Sequence, residues 1–436
     1  MRLNLRGLQT HAVLQAFPSR MGVTGTRTWG QIHGDLLCLP RKLNYQFYGE
    51  GELVVSSHLV VAVVGVEAPE AGGAHNAETL MLGQIKKSLN NNEIIIIEHR
   101  KTYARPKEDF KRLGGYLRSL YFLWKSIPVT WSLARRFTWI QPSKFERELL
   151  RKNVDVVFFV GLYDRAIELK RIPFIATIWD LGHRDLPLLP EMSANREFEL
   201  REWAIKNIAI KATAIVVDSE ITKVKLKAYY GIEDSKIHAL PFAPNMGGDL
   251  PKGERESFAL YPAHYWSHKN HLVLFDAIVS LLSKGEKPRH LKLTGLDRGN
   301  FDYLSKKVIE LQISEYVEFL GFVTKSELDS LYRQAAIVVM PSMLGPTNLP
   351  PLEALLHGCP IAVNNSAIAN LGDWSGVLEL DGFDTQSWAE VLNIKSIFEK
   401  VNISEIQQHL FECEESNVQQ LKMLFDDFKR IKRMHA

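Results

Sequence analysis

The chain has 436 residues, more than a single ordinary hydrophobic core organises, so two domains are expected. Its 46% hydrophobic and 24% charged residues are typical of globular proteins, and the net charge of +3 excludes a global field for nucleic acid. Cys38, Cys359 and Cys413 are too far apart for a disulfide framework or a zinc motif, which indicates a reducing, cytoplasmic compartment.

The N-terminal stretch differs from the rest of the chain. Residues 1–34 contain no Asp or Glu but include four arginines. A transit peptide is one interpretation. The stretch has a single serine and no clear amphipathic period, however, and it lacks an apolar run bounded by turns. We therefore favour an N-terminal extension over residues 1–57 that lies outside the core fold.

From His58 onward, short β-branched runs alternate with segments of helical length. The first run, 59–64, is of the kind that is buried on both faces of a sheet, and the loop after it contains Gly72 and Gly73. Such alternation predicts a parallel sheet with helices on both faces. We predict this first domain over residues 58–246, with further strands at 94–97, 154–160, 174–179 and 214–217.

Residues 101–152 contain thirteen Lys and Arg that are interleaved with aromatic residues. A basic, aromatic helix pair of this kind could lie on an anionic membrane surface. The alternative is a helix that turns its aromatic side chains inward and its charges to water, and this interpretation is favoured. A peripheral membrane contact through this segment stays open.

A stretch rich in Gly and Pro predicts a linker at residues 247–255, followed by a second domain of the same kind at 256–395 and C-terminal helices at 396–436. Ligands of open α/β sheets bind outside the carboxyl ends of the strands, so we expect the site in the cleft between the domains. The predicted strands of the second domain are 258–261, 291–294, 317–320, 336–340, 361–363 and 377–380.

The segment YPAHYWSHKNH, residues 261–271, follows the first strand of the second domain and opens a helix. A phosphate at a helix N-terminus gains from unpaired N–H groups and from the helix dipole. Lys269 would add a full positive charge against a diphosphate. A surface loop with a solvated lysine is the alternative for Lys269 taken alone. The whole pattern favours phosphate binding.

A second motif, PSMLGPTNLPPLEALLHGCPIAV, spans residues 341–363, and again a buried strand leads through a loop into a helix. Pro350 and Pro351 suit the first turn of that helix. Glu353 in the same turn is either a surface acid stabilised by the helix dipole or the acceptor of hydrogen bonds from a ribose diol. The amides of Thr347, Asn348 and Leu349 could donate to phosphate or sugar oxygens.

These two motifs resemble glycosyltransferase family 4, and a thinner similarity extends over residues 58–395. The resemblance implies the GT-B fold, in which two Rossmann-like, doubly wound parallel-sheet domains face each other across a cleft. It further implies that Lys269 contacts the donor diphosphate, that Glu353 binds the ribose and that Gly72 and Gly73 face the transferred group. Transfer with retention, without metal or cofactor, is the implied chemistry.

Two positions depart from the family pattern. The family usually has an acidic residue eight positions before Glu353, where this chain has Gly345, and it often has Arg where this chain has His264. The sequence Gly-Pro-Thr-Asn at 345–348 looks like a subgroup variant, in which Asn348 would take over sugar contacts. We predict that His264 remains on the donor side of the site.

A third constellation, in residues 177–191, follows a first-domain strand and resembles the family's HDxxxxxxPE stretch, with Trp179 where histidine is common. We predict that His183 takes that histidine's place near the donor sugar, as a catalytic or acceptor-side residue. A structural histidine satisfied by its own loop is the alternative. Asp180 fits either a contact with the acceptor or a cap on the following loop.

The sequence thus predicts a hexosyltransferase, mannosyltransferase-like, that moves sugar from a nucleotide-sugar to a saccharide or lipid-linked saccharide. Surface polysaccharide synthesis at the inner face of the membrane is the expected setting, by analogy with the family. The alternatives are a nucleotide-sugar binding protein without catalysis and an epimerase or phosphorylase on the same fold. Nucleic acid is not an expected partner.

Overall fold

A computed structural model describes residues 58–65, 72–89, 94–97, 142–244, 255–345, 348–368 and 371–434 of the chain. The predictions for the N-terminal extension, for residues 101–141, for the linker up to residue 254 and for Thr347 lie outside these residues.

Two six-stranded sheets organise the described residues, and every strand pairing is parallel. The strands are β1 Val61–Val64, β2 Ile94–Ile97, β3 Val156–Phe159, β4 Phe174–Ile178, β5 Ala214–Val217, β6 Ile237–Ala239, β7 Ala259–Pro262, β8 Leu291–Thr294, β9 Val317–Gly321, β10 Ile337–Met340, β11 Ile361–Asn364 and β12 Val377–Leu380. The first sheet has the order β2-β1-β3-β4-β5-β6, and the second has the order β12-β11-β10-β7-β8-β9. The predicted parallel α/β class is confirmed.

Helices cover both faces of the sheets. Those of the described residues are α1 Gly73–Ser88, α2 Lys144–Arg151, α3 Gly182–Asp185, α4 Pro190–Ser193, α5 Glu197–Lys211, α6 Glu220–Tyr230, α7 His271–Ser283, α8 Phe301–Glu310, α9 Lys325–Gln334, α10 Leu349–Leu356, α11 Thr385–Leu392 and α12 Ile403–Met434. Among them, none combines the length and the apolar character that crossing a membrane requires.

Burial on both faces explains why β1, β3, β5 and β10 consist of apolar, mostly β-branched or aromatic residues without polar alternation. Val63 and Phe158 pack into the hydrophobic cluster on one face of the first sheet, whereas Val64 and Phe159 pack into the cluster on the other face. Strand β6 was not predicted, because it has three residues with a histidine in the middle and therefore no apolar run.

Helix α12 joins the two sheets. Its first half contributes Ile406 and Leu410 to the core of the second sheet. Its second half returns to the first sheet, where Leu421 and Phe425 pack against β1 and β3. The side-chain amide of Asn417 donates to the carbonyl of Pro241 at 2.8 Å. One long helix therefore fixes the separation of the two sheets along its length.

Arg255 holds the ends of two helices of the second domain. Its Nη1 donates to the carbonyls of Tyr332 at 2.8 Å, Arg333 at 3.0 Å and Ala335 at 3.0 Å, at the end of α9. Its Nη2 donates to the carbonyl of His357 at 2.7 Å, at the end of α10. A cation at a helix carboxyl terminus satisfies open carbonyls and opposes the helix dipole.

Replacing Arg255 by alanine should therefore destabilise the protein by about 2–4 kcal/mol, because four carbonyls lose a charged donor. The thermal midpoint should fall by roughly 5–10 °C. Arg255→Lys should be intermediate, since a single ammonium cannot reach both helix ends. Arg430→Ala is the matched control, because that side chain is 76% exposed and pairs with Asp427 on the surface. Equal midpoints for the Arg255→Ala and Arg430→Ala variants would refute this role.

Candidate functional site

The loops at the carboxyl ends of the two sheets contact each other. Glu191 from the first half accepts hydrogen bonds at one carboxylate oxygen from the backbone N–H and from the ring Nδ1 of His268, both at 2.8 Å. Gly182 lies so close to Leu344 of the second half that a Cβ there would be 2.6 Å from its Cδ1. The three segments predicted to carry chemistry therefore face one another.

Lys269 lies at the centre of this edge, just before helix α7. Asn270 takes a left-handed backbone with φ 53°, which turns the chain into the helix. The hydroxyl of Tyr261 donates to the carbonyl of Lys269 at 2.6 Å, and the ammonium donates to Ser342 Oγ at 3.3 Å. Burial lowers the pKa of Lys269 to about 8, although the negative charge of Asp180 opposes this shift. The ammonium is thus poised for an anion.

Glu353 lies inside α10 rather than in its first turn. It is the fifth residue of the helix and is 7% exposed, so the interpretation as a surface acid is wrong. Its Oε2 accepts a hydrogen bond from the hydroxyl of Tyr332 at 3.0 Å. Burial raises the pKa of Glu353, and the nearby charge of Lys325 and the Tyr332 hydroxyl act against that rise. Its carboxylate is an enclosed acceptor.

His264 stands against the glycine loop that precedes α1. Its Nδ1 accepts the backbone N–H of Leu296 at 2.9 Å, so the neutral ring carries its proton on Nε2. Nε2 is buried without a hydrogen-bond partner among the described residues, and a Cβ at Gly72 would lie 2.4 Å from it. Burial, together with the charges of Arg298 and Lys269, lowers the pKa of His264 to about 4. It is a neutral donor.

Gly345 stands where the family that the sequence resembles usually has an acidic residue. Gly345 adopts φ 91°, a backbone conformation that favours glycine. The side-chain amide of Asn348 donates to the carbonyl of Gly345 at 3.2 Å and makes no capping bond to the helix that begins at Leu349. The amide nitrogen of Asn348 is thus engaged by Gly345, and its amide oxygen accepts no hydrogen bond from the described residues.

His183 lies on α3, but its ring points into the first domain. The residue is completely buried, and its Nε2 lies 3.0 Å from Glu202 Oε1 and 3.2 Å from the hydroxyl of Tyr230. Burial lowers the pKa of His183, against the attraction of Glu202. The partners come from helices α5 and α6 rather than from the residue's own loop, and Nδ1 has no hydrogen-bond partner among the described residues.

Asp180 supports its own loop. One carboxylate oxygen accepts the backbone N–H of Gly182 at 2.8 Å and the guanidinium of Arg201 at 3.0 Å. These donors lower the pKa of Asp180 against the opposing effect of burial, so it is ionised. Its charge also attracts Lys269 across the cleft.

Sequence patterns missed the two hydroxyls that hold the charged groups. Ser342 follows the carboxyl end of β10, and the general rule for ligand sites in α/β sheets would have singled it out. Tyr332 is 21 residues from Glu353 and lies on a different helix, so no local pattern connects them. Within the described ranges, no group of three or more His, Cys, Asp or Glu is arranged to hold a metal ion.

Residues 245–370 match a protein family described as "Glycosyl transferases group 1". The O-antigen chain mannosyltransferase RfbU of Salmonella typhimurium strain LT2 is 25% identical over 187 residues, which cover 42% of this chain and 51% of that protein. A D-inositol 3-phosphate glycosyltransferase of Pseudarthrobacter chlorophenolicus is 26% identical over 240 residues, which cover 51% of this chain and 56% of that protein. The chain thus spans about half the length of these relatives.

Solved structures resemble this chain over a longer part of its length than the sequence relatives do. Anabaena HepE in complex with UDP superimposes with a TM-score of 0.56 at 14% identity, over 85% of this chain and 100% of that one. A sucrose-phosphate synthase of Thermosynechococcus elongatus gives a TM-score of 0.54 at 14% identity, over 87% of this chain and 100% of that one. The expected two-domain GT-B fold is confirmed.

The contact of Gly72 with His264 yields a stability prediction. Gly72 has φ 63° and ψ −120°, which only glycine adopts readily, and it has no room for a Cβ. Gly72→Ala should therefore cost about 1–3 kcal/mol through backbone strain and lower the thermal midpoint. Gly73→Ala is the matched control, because nothing lies within 4 Å of its added Cβ and alanine suits a helix. Equal midpoints for the two variants would contradict the contact.

Proposed function

We propose that this protein is a glycosyltransferase that moves a hexose from a nucleotide-sugar to a saccharide or lipid-linked saccharide, with retention at the anomeric carbon. The observation that carries the proposal is Lys269. It lies at the carboxyl edge of the second sheet, before a 13-residue helix, with Ser342 as the one side chain of the described residues hydrogen-bonded to its ammonium. The match of residues 245–370 and the names of the relatives support the reaction class.

Lys269 would hold the donor diphosphate. Negative charge develops on this group as the glycosidic bond to the nucleotide breaks, and a fixed ammonium in a water-poor cleft stabilises it more than water does. The N–H groups at the start of α7 add the helix dipole. A departing phosphate can also take the acceptor's proton, so this reaction needs no separate base and no metal.

We propose further residues near Lys269 as contacts for the ribose and for the transferred sugar of the donor. Glu353 would accept hydrogen bonds from the ribose. Around the transferred sugar we place the Gly72–Gly73 loop, the Nε2–H of His264, the amide of Asn348 and the backbone from Thr347 to Leu349. Asp180 would lie toward the acceptor. His183 is not among these residues, because its ring faces Glu202 inside the first domain.

The name of the relative RfbU favours a mannosyl donor and an acceptor in surface polysaccharide assembly. By analogy with that relative, we propose an acceptor at the inner face of the membrane and a cytoplasmic protein beside it. Contact through the basic aromatic segment at 101–152 remains a prediction from the sequence alone.

The pKa of Lys269 generates a test of diphosphate binding. Bound diphosphate favours the charged ammonium, and the pKa in the free protein is about 8. The affinity for UDP or GDP should therefore be full at lower pH and fall by up to about tenfold per pH unit above about pH 8. Titration calorimetry from about pH 7 to about pH 9.5 measures this fall in affinity.

Two variants separate Lys269 from general effects of pH. Lys269→Arg should bind the diphosphate more weakly, but its affinity should not fall above about pH 8, because a guanidinium stays charged. Lys284→Ala, at the opposite and exposed end of α7, should bind like the wild type. If the affinity of Lys269→Arg still falls above about pH 8, another group causes the fall, and the role of Lys269 is overturned.

Catalysis is tested by incubating the protein with nucleotide-sugars and candidate saccharides, followed by mass analysis. A transferase should release nucleoside diphosphate and extend the acceptor only when both substrates are present. Asn348→Ala should lower the turnover about tenfold or more if its amide contacts the sugar. Donor that binds and stays intact with every acceptor would favour a binding protein without catalysis, and unchanged turnover in Asn348→Ala would remove that residue from the site.

A further inference from the structure

Tyr332 and Glu353 form a buried pair between helices α9 and α10. Tyr332 is completely enclosed, and its hydroxyl donates to Oε2 of Glu353 at 3.0 Å. Among the described residues, this is the one side-chain hydrogen bond that the Glu353 carboxylate accepts. Oε1 is left without such a bond within that part of the chain.

The hydroxyl of Tyr332 has little freedom to move. Its ring stacks on that of His357, with centroids 5.3 Å apart and planes at 27°. The Nδ1 of His357 lies 2.8 Å from the backbone carbonyl of Glu353, and Arg255 donates to the carbonyls of both Tyr332 and His357. The tyrosine is therefore anchored at its ring and at its backbone, on the same frame that carries the carboxylate.

A carboxylate that binds a diol must be ionised and must have a free oxygen. Burial works against the charge of Glu353, and so does the nearby Asp329, whereas Lys325 and the Tyr332 hydroxyl favour it. A hydrogen bond donated to the charged form stabilises that form more than the protonated one. By occupying Oε2, Tyr332 also limits rotation of the carboxylate and leaves Oε1 for a ligand.

We propose that Tyr332 is a positioning residue for ribose recognition, which holds Oε2 of Glu353 so that Oε1 meets the diol of a ribonucleoside diphosphate. The site then selects ribonucleotides over analogues that lack both ribose hydroxyls. This inference rests on the proposed function, in particular on the binding of the ribose by Glu353.

The experiment compares UDP and GDP with their 2′,3′-dideoxy forms by titration calorimetry. The wild type should prefer the ribose forms. Tyr332→Phe removes only the hydroxyl, and it should weaken binding of the ribose forms about tenfold while the dideoxy forms bind as before. The preference for ribose should therefore shrink by the same factor. Glu353→Gln should reduce it at least as much.

The pH dependence supplies a second readout. Losing the Tyr332 hydroxyl removes a donor that favours ionised Glu353, so the carboxylate of Tyr332→Phe should protonate at higher pH. The affinity for the ribose forms should then be lost at higher pH than in the wild type as the solution is acidified. Lys325, Asp329 and His357 are the other titratable groups around the carboxylate, and they are the same in both proteins.

Tyr163→Phe is the matched control, because it removes a buried hydroxyl that likewise donates to a carboxylate, that of Glu78 at 3.0 Å in the first domain. This variant should keep the wild-type preference. Equal weakening of ribose and dideoxy forms in Tyr332→Phe, or no weakening of either, would overturn the inference and leave the proposed function in place. A wild type that binds no nucleoside diphosphate would overturn both.

Discussion

The half-buried ammonium of Lys269 and the buried carboxylate of Glu353 have no counter-ion in direct contact among the described residues. Lys269 and Glu353 each have a neutral hydroxyl as partner, Ser342 for the ammonium and Tyr332 for the carboxylate. Burial lowers the pKa of Lys269 and raises the pKa of Glu353, so it favours the neutral form of both groups. Charges held in this way cost stability, and a ligand that supplies an anion to one and hydroxyls to the other would recover it.

Such a site depends on the distance between the two sheets, and two features constrain it. Helix α12 belongs to both cores, with Ile406 in one and Phe425 in the other. At the mouth of the cleft, Glu191 accepts two hydrogen bonds from His268, the residue next to Lys269. The carboxylate thus holds the turn of Lys269 against the first domain, and the pKa of Glu191 falls to about 2 although burial opposes the shift.

The sequence predicted most of what hydrophobic burial controls. Strands buried on both faces are continuous apolar runs, and eleven of the twelve described strands were predicted, whereas β6 has no such run. Positions at strand ends were also predictable, because parallel strands place their carboxyl ends at one edge. Side-chain direction was not. His183 follows a strand but points inward to Glu202, and the partner of Glu353 comes from another helix.

The two departures from the family pattern are connected by charge. An acid is replaced by Gly345 and a basic residue by His264, whose pKa of about 4 keeps it neutral. Compared with the family that the sequence resembles, one negative and one positive group are thus absent together. Both loops carry neutral hydrogen-bonding groups instead, the Nε2–H of His264 and the amide of Asn348. In the proposed site, neutral groups of this kind would discriminate sugars by the direction of their hydrogen bonds rather than by charge attraction.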